Sequence, residues 1–483
     1  MKFSAAVFVS VITGVPLGQA AWEVVQGEPV QALEVFSVSG ADGLRSFEAD
    51  LRDASFLYRE WAPRFQSGLL ALGKGNAKSI VGGDGWLFYS KDLDWITARG
   101  FMADRQASPV ATIVDVHEQF AARGIPLLFV PVPAKGGFEM SHLASGDTWP
   151  EVPTNVDYPV FLEELRRAGV DVVDLVPGIA DLRVQAGEAY LARDTHWTPA
   201  TMEWAAAEIG QRVGELLETE AHPVPMLTQP ATVQAQGDLV EMLRLSADAL
   251  PFETMGLETR RVVYGDGAPV VADPGADVLL MGDSFTGVYS DPRFEMGEHA
   301  GLMEHIARAI GAPLDVIAIP GGGVRATRES FARRPAAQKM KKVVVWQMSQ
   351  RDLLDRGIVW GPVDLWPAGE RSEATTEPVQ VLAELVEASR IPLEFAYEFC
   401  LVIHEYRVLE VKVGELPAQD VVWVAHVGME DYDSRPGNQY EVGVRQVLRL
   451  ENVIQHFDLE STSFVDDTDA GRTIWYATQV RAE

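Results

Sequence analysis

Cysteine is nearly missing: Cys400 is the single one in 483 residues. One thiol cannot make an intramolecular disulfide, and every multi-cysteine zinc site is excluded. Basic residues are scarce too. Lys and Arg total 40 against 70 Asp and Glu, a formal charge of −30. A field of that sign repels phosphate backbones and argues against a nucleic-acid partner. Past the N-terminus, no segment approaches the ~20 unbroken apolar residues that span a bilayer. What is there is a globular composition, 47% hydrophobic, 23% charged and 9% aromatic. Mostly disordered, collagen-like and coiled-coil chains are thereby excluded. A prior of roughly 150 residues per domain gives two or three domains.

Residues 1–20 read as a signal peptide. Lys2 is a short basic start, Phe3 to Leu17 is mostly apolar, and Gly18-Gln19-Ala20 is a small-x-small cleavage site. Gly14 and Pro16 break the apolar stretch before it could span a membrane. The alternative is a buried helix or an uncleaved anchor. Export without disulfides points to a bacterial periplasm.

Along the chain, helical and strand patterns alternate. Helices are expected over 44–72, 110–123, 160–168, 199–217, 298–310 and 327–341. Apolar strands are expected over 125–132, 170–176, 276–281, 313–319 and 342–347. Continuous apolar strands between helices imply a parallel sheet covered on both faces. Residues 361–378 are rich in Pro, Gly, Glu and Thr and read as a linker. Beyond it the pattern turns to β alternation, so 380–483 reads as a small antiparallel β domain, a sandwich or open barrel. The α/β domain then covers 21–365.

Two motifs carry chemistry. The strand Asp277 to Met281 runs into Gly282-Asp283-Ser284-Phe285, which places a serine at the C-terminal end of a parallel strand, where open α/β sheets bind ligands. The second is Arg193-Asp194-Thr195-His196-Trp197. A serine hydroxyl needs a base to become a nucleophile; a histidine supplies one, and a carboxylate fixes its tautomer. Residues two apart on an extended segment point the same way. Both motifs follow strands of one sheet and belong at its C-terminal edge. The blander readings are an ordinary strand-to-loop turn at Ser284 and a capping Asp194 beside a satisfied His196.

Together these motifs resemble the SGNH hydrolase superfamily, with the serine and Asp/His motifs swapped in chain order as if circularly permuted. The arrangement is similar to the alginate O-acetyltransferase family, the AlgX and AlgJ type. Gly85-Trp86-Leu87-Phe88-Tyr89, Pro131 to Lys135, Gly237-Asp238-Leu239 and Val345-Trp346 add to the likeness, which spans roughly residues 44–355. The fold it implies is an SGNH-hydrolase-like three-layer parallel sheet, with 380–483 in the place of a carbohydrate-binding module. The roles it implies are Ser284 as nucleophile, His196 as base and Asp194 as its orienting carboxylate. Oxyanion donors would come from Ser284 N–H, from Gly322 and Gly323 after the next strand, and from Gln347, where many members have asparagine. Lys135, Tyr289 and Arg325 are candidates for a sugar groove. Trp86 and Trp197 could stack on sugars, although buried aromatics are the commoner case.

The implied function is periplasmic transfer of an acetyl group to exopolysaccharide hydroxyls. Its partners would be a polysaccharide acceptor, a membrane-bound acetyl donor and export machinery. No cofactor is expected. No metal is expected either: Glu298-His299 and Glu304-His305, on one expected helix, lack zinc-protease spacing. A polysaccharide acetyl esterase and a non-catalytic polysaccharide-binding scaffold are the rival readings. The charge of −30 makes a uronate polymer a difficulty. It would require a local basic groove, with Lys135, Arg193, Arg325 and Arg351 as candidate members; if these lie apart from Ser284, a neutral polysaccharide fits better.

Overall fold

The computed structural model describes residues 17–26, 30, 33, 55–98, 100–103, 108–143, 152–217, 224–246, 251–321, 323–332, 334, 341–354, 360–366, 377–391, 399–416, 420–430, 433–453, 463–465, 468 and 474–482. Most of the expected signal segment, residues 1–16, and the first part of the expected 44–72 helix therefore lie outside the described residues, as does 367–376 of the linker. No described helix is long and apolar enough to cross a membrane.

Two compact units divide the chain. One comprises Met1–Ser90, Ala192–Asp194 and Gln236–Glu253; the other comprises Lys91–Leu191, Thr195–Ala235 and Thr254–Glu483. In the first, strands β1 (Ser79–Val81) and β2 (Leu87–Tyr89) pair antiparallel. The turn between them needs left-handed backbone at Asp84 and Gly85, φ 53° and 78°. Leu87 packs with Leu239, Val240 and Leu243 in a small core.

The second unit holds a five-stranded sheet built from β3 (Leu127–Val132), β4 (Asp171–Val172), β7 (Val278–Gly282), β8 (Asp315–Ala318) and β9 (Val343–Ser349), in the order β4-β3-β9-β7-β8. Every pairing in it is parallel. Both faces are covered. Leu127, Phe129, Leu279, Met281, Val344 and Trp346 join Ile113, Phe120, Phe161 and Phe331 from helices Pro109–Ala121, Tyr158–Arg167 and Gly323–Ala332. The alternate residues Leu128, Val130, Leu280 and Val345 are fully buried as well. Helix Pro199–Leu217 packs against β9 and against helix Leu302–Ile310. This is why the strands read as unbroken apolar runs. Burying such a side chain contributes roughly 1.5–3 kcal/mol each.

Three boundaries depart from expectation. The 170–176 strand is only β4, because Asp174 Oδ1 accepts Val176 N–H at 3.2 Å and Pro177 sets the first turn of helix Val176–Ala186. The helix expected from Glu298 begins at Leu302, since Gly297 and His299 have φ of 138° and 54° and cannot continue a right-handed helix. Glu298-His299 is therefore loop. The 327–341 helix is Gly323–Ala332, with 335–340 outside the described residues. Among the elements not expected is the hairpin of β5 (Met226–Ala235) and β6 (Met255–Tyr264), paired without a register shift over all ten residues of each strand.

The C-terminal strands are β10 (Val379–Ala388), β11 (Phe399–Val413), β12 (Val421–Glu430), β13 (Asp433–Ser434), β14 (Arg445–Asn452), β15 (Ser463–Val465) and β16 (Ile474–Ala482). Their pairings run in a ring, β10–β11–β12–β16–β14–β10, with β13 and β15 added at β12 and β11. The ring is a small closed barrel, mostly antiparallel, with β12–β16 and β11–β15 parallel. The 15-residue β11 closes it by pairing with both β10 and β12. Val381, Ala383, Leu385, Tyr406, Val424, Leu448 and Trp475 fill the inside. Cys400 is buried, and burial pushes its thiol pKa up, away from reactivity.

Candidate active site

Ser284 stands where β7 ends. It opens a one-turn helix, Ser284–Gly287, and is half-buried between a buried Gly282 and a buried Phe285. Asp283 caps that turn, its Oδ1 accepting Phe285 N–H at 2.9 Å. The same oxygen accepts from Gln347 Nε2 at 2.9 Å, and Oδ2 accepts Ser349 N–H at 2.9 Å. Gln347 Oε1 in turn accepts Asp283 N–H at 3.1 Å and the Thr286 hydroxyl at 2.9 Å. The end of β9 thus clamps the Gly-Asp-Ser turn from beneath. Gly282 is required: a Cβ there would collide with Thr286 Oγ1 and Gln347 Oε1. Gln347, singled out as an oxyanion donor, has its carbonyl and one N–H committed to holding Asp283. The clamp itself was not foreseen; an Asp at the cap position two residues before a buried helix N–H was its only sequence signal.

His196 is buried at 3% exposure, and its ring lies 4.7 Å from Phe285, the residue after Ser284. Phe294 approaches the same ring at 6.0 Å. The backbone around His196 is fixed by a Tyr190–Trp197 bridge and by Leu191 N–H donating to His196 C=O at 3.1 Å. Thr198 Oγ1 then caps helix Pro199–Leu217 by accepting Thr201 N–H at 3.3 Å. Thr195 Oγ1 lies 3.4 Å from His196 Nδ1. Within this unit, then, Ser284, His196 and Gln347 converge on Phe285 and the turn before it. Asp194 belongs to the other unit, where it is buried and its Oδ2 accepts Asp238 N–H at 2.8 Å.

The expected sugar-groove residues fare differently. Tyr289 is fully buried, and its hydroxyl donates to Trp197 C=O at 2.6 Å, tying the serine helix to the histidine segment. It is a strut and not groove lining. Lys135 is also fully buried, as the first residue of helix Lys135–Phe138, so its ammonium does not reach the surface. Arg325, on helix Gly323–Ala332, pairs with Glu329 at 2.5 Å. Arg193 donates to Glu253 C=O at 2.9 Å. Arg351 alone of these lies beside the turn, 5.5 Å over the Phe285 ring, and it is paired with the buried Asp92 at 3.1 Å. Gly322 lies outside the described residues; Gly323 starts its helix after Gly321, φ 65°. Trp197 is core, in edge contact with Phe285 at 5.3 Å, and Trp86 is 6% exposed.

Glu304 is buried and accepts from Ser290 Oγ at 2.5 Å and from Gly301 N–H at 3.0 Å. Burial raises its pKa to about 7. Its neighbour His305 is pushed below its usual value, first by burial, and its Nε2 lies 3.0 Å from Arg260 C=O. Both groups hold helix Leu302–Ile310 in place.

An open, fully parallel sheet with a capped serine at the tip of β7 and a ring-packed histidine beside it defines an SGNH hydrolase-like α/β protein. The chain belongs to the family of the SGNH hydrolase-like domain of acetyltransferase AlgX, whose model matches residues 80–350. Among curated proteins it is 28% identical over 221 residues to "Probable alginate O-acetylase AlgJ" of Pseudomonas syringae pv. tomato, covering 44% of this chain and 55% of that protein. It is 28% identical over 217 residues to the protein of the same name from Pseudomonas aeruginosa, covering 44% and 53%. The chain thus spans about half the length of these relatives. Among solved structures, the O-acetyltransferase domain of Pseudomonas putida AlgJ aligns with a TM-score of 0.46 at 22% identity, over 58% of this chain and 93% of that one.

Proposed function

We propose that the protein is an O-acetyltransferase that moves an acetyl group onto hydroxyls of an exopolysaccharide. The carrying observation is the clamped turn that presents Ser284 beside the His196–Phe285 contact. In this reading Ser284 Oγ attacks the acetyl carbonyl while His196 takes its proton. The tetrahedral intermediate collapses, the leaving group departs with that proton, and an acetyl-serine ester remains. A sugar hydroxyl then attacks the ester, gives its proton to His196, and Ser284 is released as alcohol. Asp194, two residues ahead on the same segment, orients His196 and stabilises its charged form. Ser284 N–H, with Gly322 and Gly323, would receive the oxyanion; one such donor contributes roughly 2.7–4 kcal/mol. General-base help is worth ~10²–10⁴ in rate.

The names of the relatives bring alginate into the test as one acceptor, beside neutral oligosaccharides. The signal-peptide-like pattern of residues 1–20 supports a periplasmic reaction, in which the acetyl donor would be a membrane-bound partner with export machinery. The test mixes purified wild type or Ser284→Ala with p-nitrophenyl acetate and oligosaccharides and weighs the products. Acetylated sugar from wild type alone supports transfer. Free acetate alone supports an esterase. Equal inertness of both proteins removes the catalytic reading.

A further inference from the structure

A cavity of about 290 Å³ opens between the β5–β6 hairpin and the strap 292–298 that follows the Ser284 helix. Ala231 and Val233 of β5 and Thr259 and Arg261 of β6 line one side, and Glu295 and Glu298 of the strap line the other. The hairpin register sets Ala231 opposite Thr259 and Val233 opposite Leu257, so these side chains share one face. The strap connects this cavity to the chemistry. Phe294 within it contacts the His196 ring and packs against Gly287, the last residue of the serine helix. Gly297, φ 138°, passes between the Tyr289 carbonyl and Thr259, where a Cβ would lie 3.6 Å and 3.8 Å from them.

We propose that this cavity is the acceptor subsite and that it takes one ring of an uncharged hexose polymer, not a uronate. The proposal rests on the acetyl-transfer reading and names its substrate class. The volume is at the lower end of the ~300–1,000 Å³ range of small-molecule pockets, room for a single ring. The Ala231 and Val233 side chains suit the C–H face of a pyranose. The two carboxylates accept from sugar hydroxyls, and the Thr259 hydroxyl, which donates to Ala231 C=O at 3.3 Å, keeps an acceptor lone pair for another. Charge decides against a uronate. Among the lining residues Arg261 is the one cation against two carboxylates, and it approaches Glu298 at only 3.9 Å, so the lining carries a net negative charge. A third carboxylate would enter a negative site on a chain of net charge −30. The other cations once considered for a basic groove are buried or already engaged: Lys135 within the core, Arg325 by Glu329, Arg351 by Asp92 and Arg193 by a backbone carbonyl.

Binding is measured by calorimetry on the full-length Ser284→Ala protein, so that turnover does not enter. Neutral β-linked hexose oligomers are expected to bind at least about tenfold more tightly than oligomannuronate or oligoguluronate of equal length. Ala231→Trp, which fills the cavity, is expected to weaken the neutral oligomer about tenfold. The double change Glu295→Lys and Glu298→Lys is expected to reverse the preference toward uronate, a gain that misfolding cannot mimic. Tighter uronate binding to the parent protein, no binding of either oligomer, or an unmoved preference in the double variant overturns the proposal. Failure of the acetyl-transfer reading shows separately, as a missing p-nitrophenol burst from wild type or as free acetate with no acetylated sugar of either kind.

Discussion

The parallel sheet and the C-terminal barrel both bury polar side chains, and they do so differently. At the tip of the parallel sheet, Asp283, Thr286, Gln347 and Ser349 close a network under a half-exposed serine. In the barrel, Ser389 pairs with His404, and Tyr406 with His426 and Gln446, all of them buried. Ser389 N–H donates to His404 Nδ1 at 3.2 Å, so the ring proton sits on Nε2 and is given to Gly437 C=O at 2.7 Å. Tyr406 donates to Gln446 Oε1 at 2.7 Å and meets His426 Nε2 at 3.1 Å. The two imidazoles lie 5.2 Å apart. A network at a strand end aims a group at solvent; a network inside a closed ring specifies packing.

The largest effect that separates the two is chemical. Ser284→Ala is expected to lower acetyl transfer by roughly 10⁴-fold or more, the scale seen when a triad member is removed. A half-exposed hydroxyl carries little packing, so the unfolding midpoint should hardly move, within about 0.5 kcal/mol. A large loss of stability in this variant would mean that the serine belongs to the fold and would erase the distinction.

Acidity should separate the regions with opposite signs. Burial lowers His404 to about 4 from 6.5, so the unfolded chain takes up the proton more readily. Its contribution is present above pH 6.5 and lost as pH falls through 4, on the order of 3 kcal/mol for a shift of this size. His426 is displaced in the same direction, by burial and then by His404. Burial raises Glu304 to about 7 from 4.5, so the folded state holds that proton longer. Its contribution is present below pH 4.5 and lost as pH rises through 7, again of order 3 kcal/mol at most. Urea unfolding followed across pH 4–8 should show His404→Gln flattening the acid limb and Glu304→Gln the alkaline limb. One variant flattening both would break the comparison.

Between these in kind lies Gln347→Glu. The shape is unchanged, but a carboxylate would face Asp283 in place of the amide that donates to it. The turn should shift, and kcat should fall about 10²-fold, the cost of a misplacement near 1 Å. Steady-state kinetics with an activated acetyl ester reads it. An unchanged kcat would show that the clamp is dispensable to Ser284.

The central strands β3, β7 and β9 were legible because they are buried along their whole length and read as apolar runs, and Ser284 was legible because it follows one of them. β4 was overread, since Val173, Leu175 and Val176 are apolar but Asp174 and Pro177 turn the chain into a helix. The β5–β6 hairpin was missed because β5 is mostly exposed and the alternation it shares with β6 is confined to short stretches, Ala231 to Ala235 and Met255 to Arg260. Tyr289 and Lys135 were assigned to a groove because residue type cannot report burial. The Asp283–Gln347 clamp joins residues 64 apart, a pairing that only the β7–β9 neighbourhood creates. Ring closure of the barrel depends likewise on β11 serving two partners.

The smallest expected effect tests the sealed side. Tyr406→Phe keeps the ring in the barrel core and removes only its hydroxyl. Gln446 Oε1 then loses its donor and His426 its partner, both in buried surroundings. Leaving a buried polar group unmatched costs about 1–3 kcal/mol. Tyr406→Phe combined with Gln446→Leu should recover part of that, because an apolar pair leaves only His426 to satisfy. Thermal unfolding of the single and double variants measures the difference, and acetyl transfer at a temperature where all are folded supplies the second readout. If the barrel network serves packing alone, stability falls and transfer does not. Loss of transfer at full stability would instead tie the barrel to the reaction and move it to the same side of the comparison as Ser284.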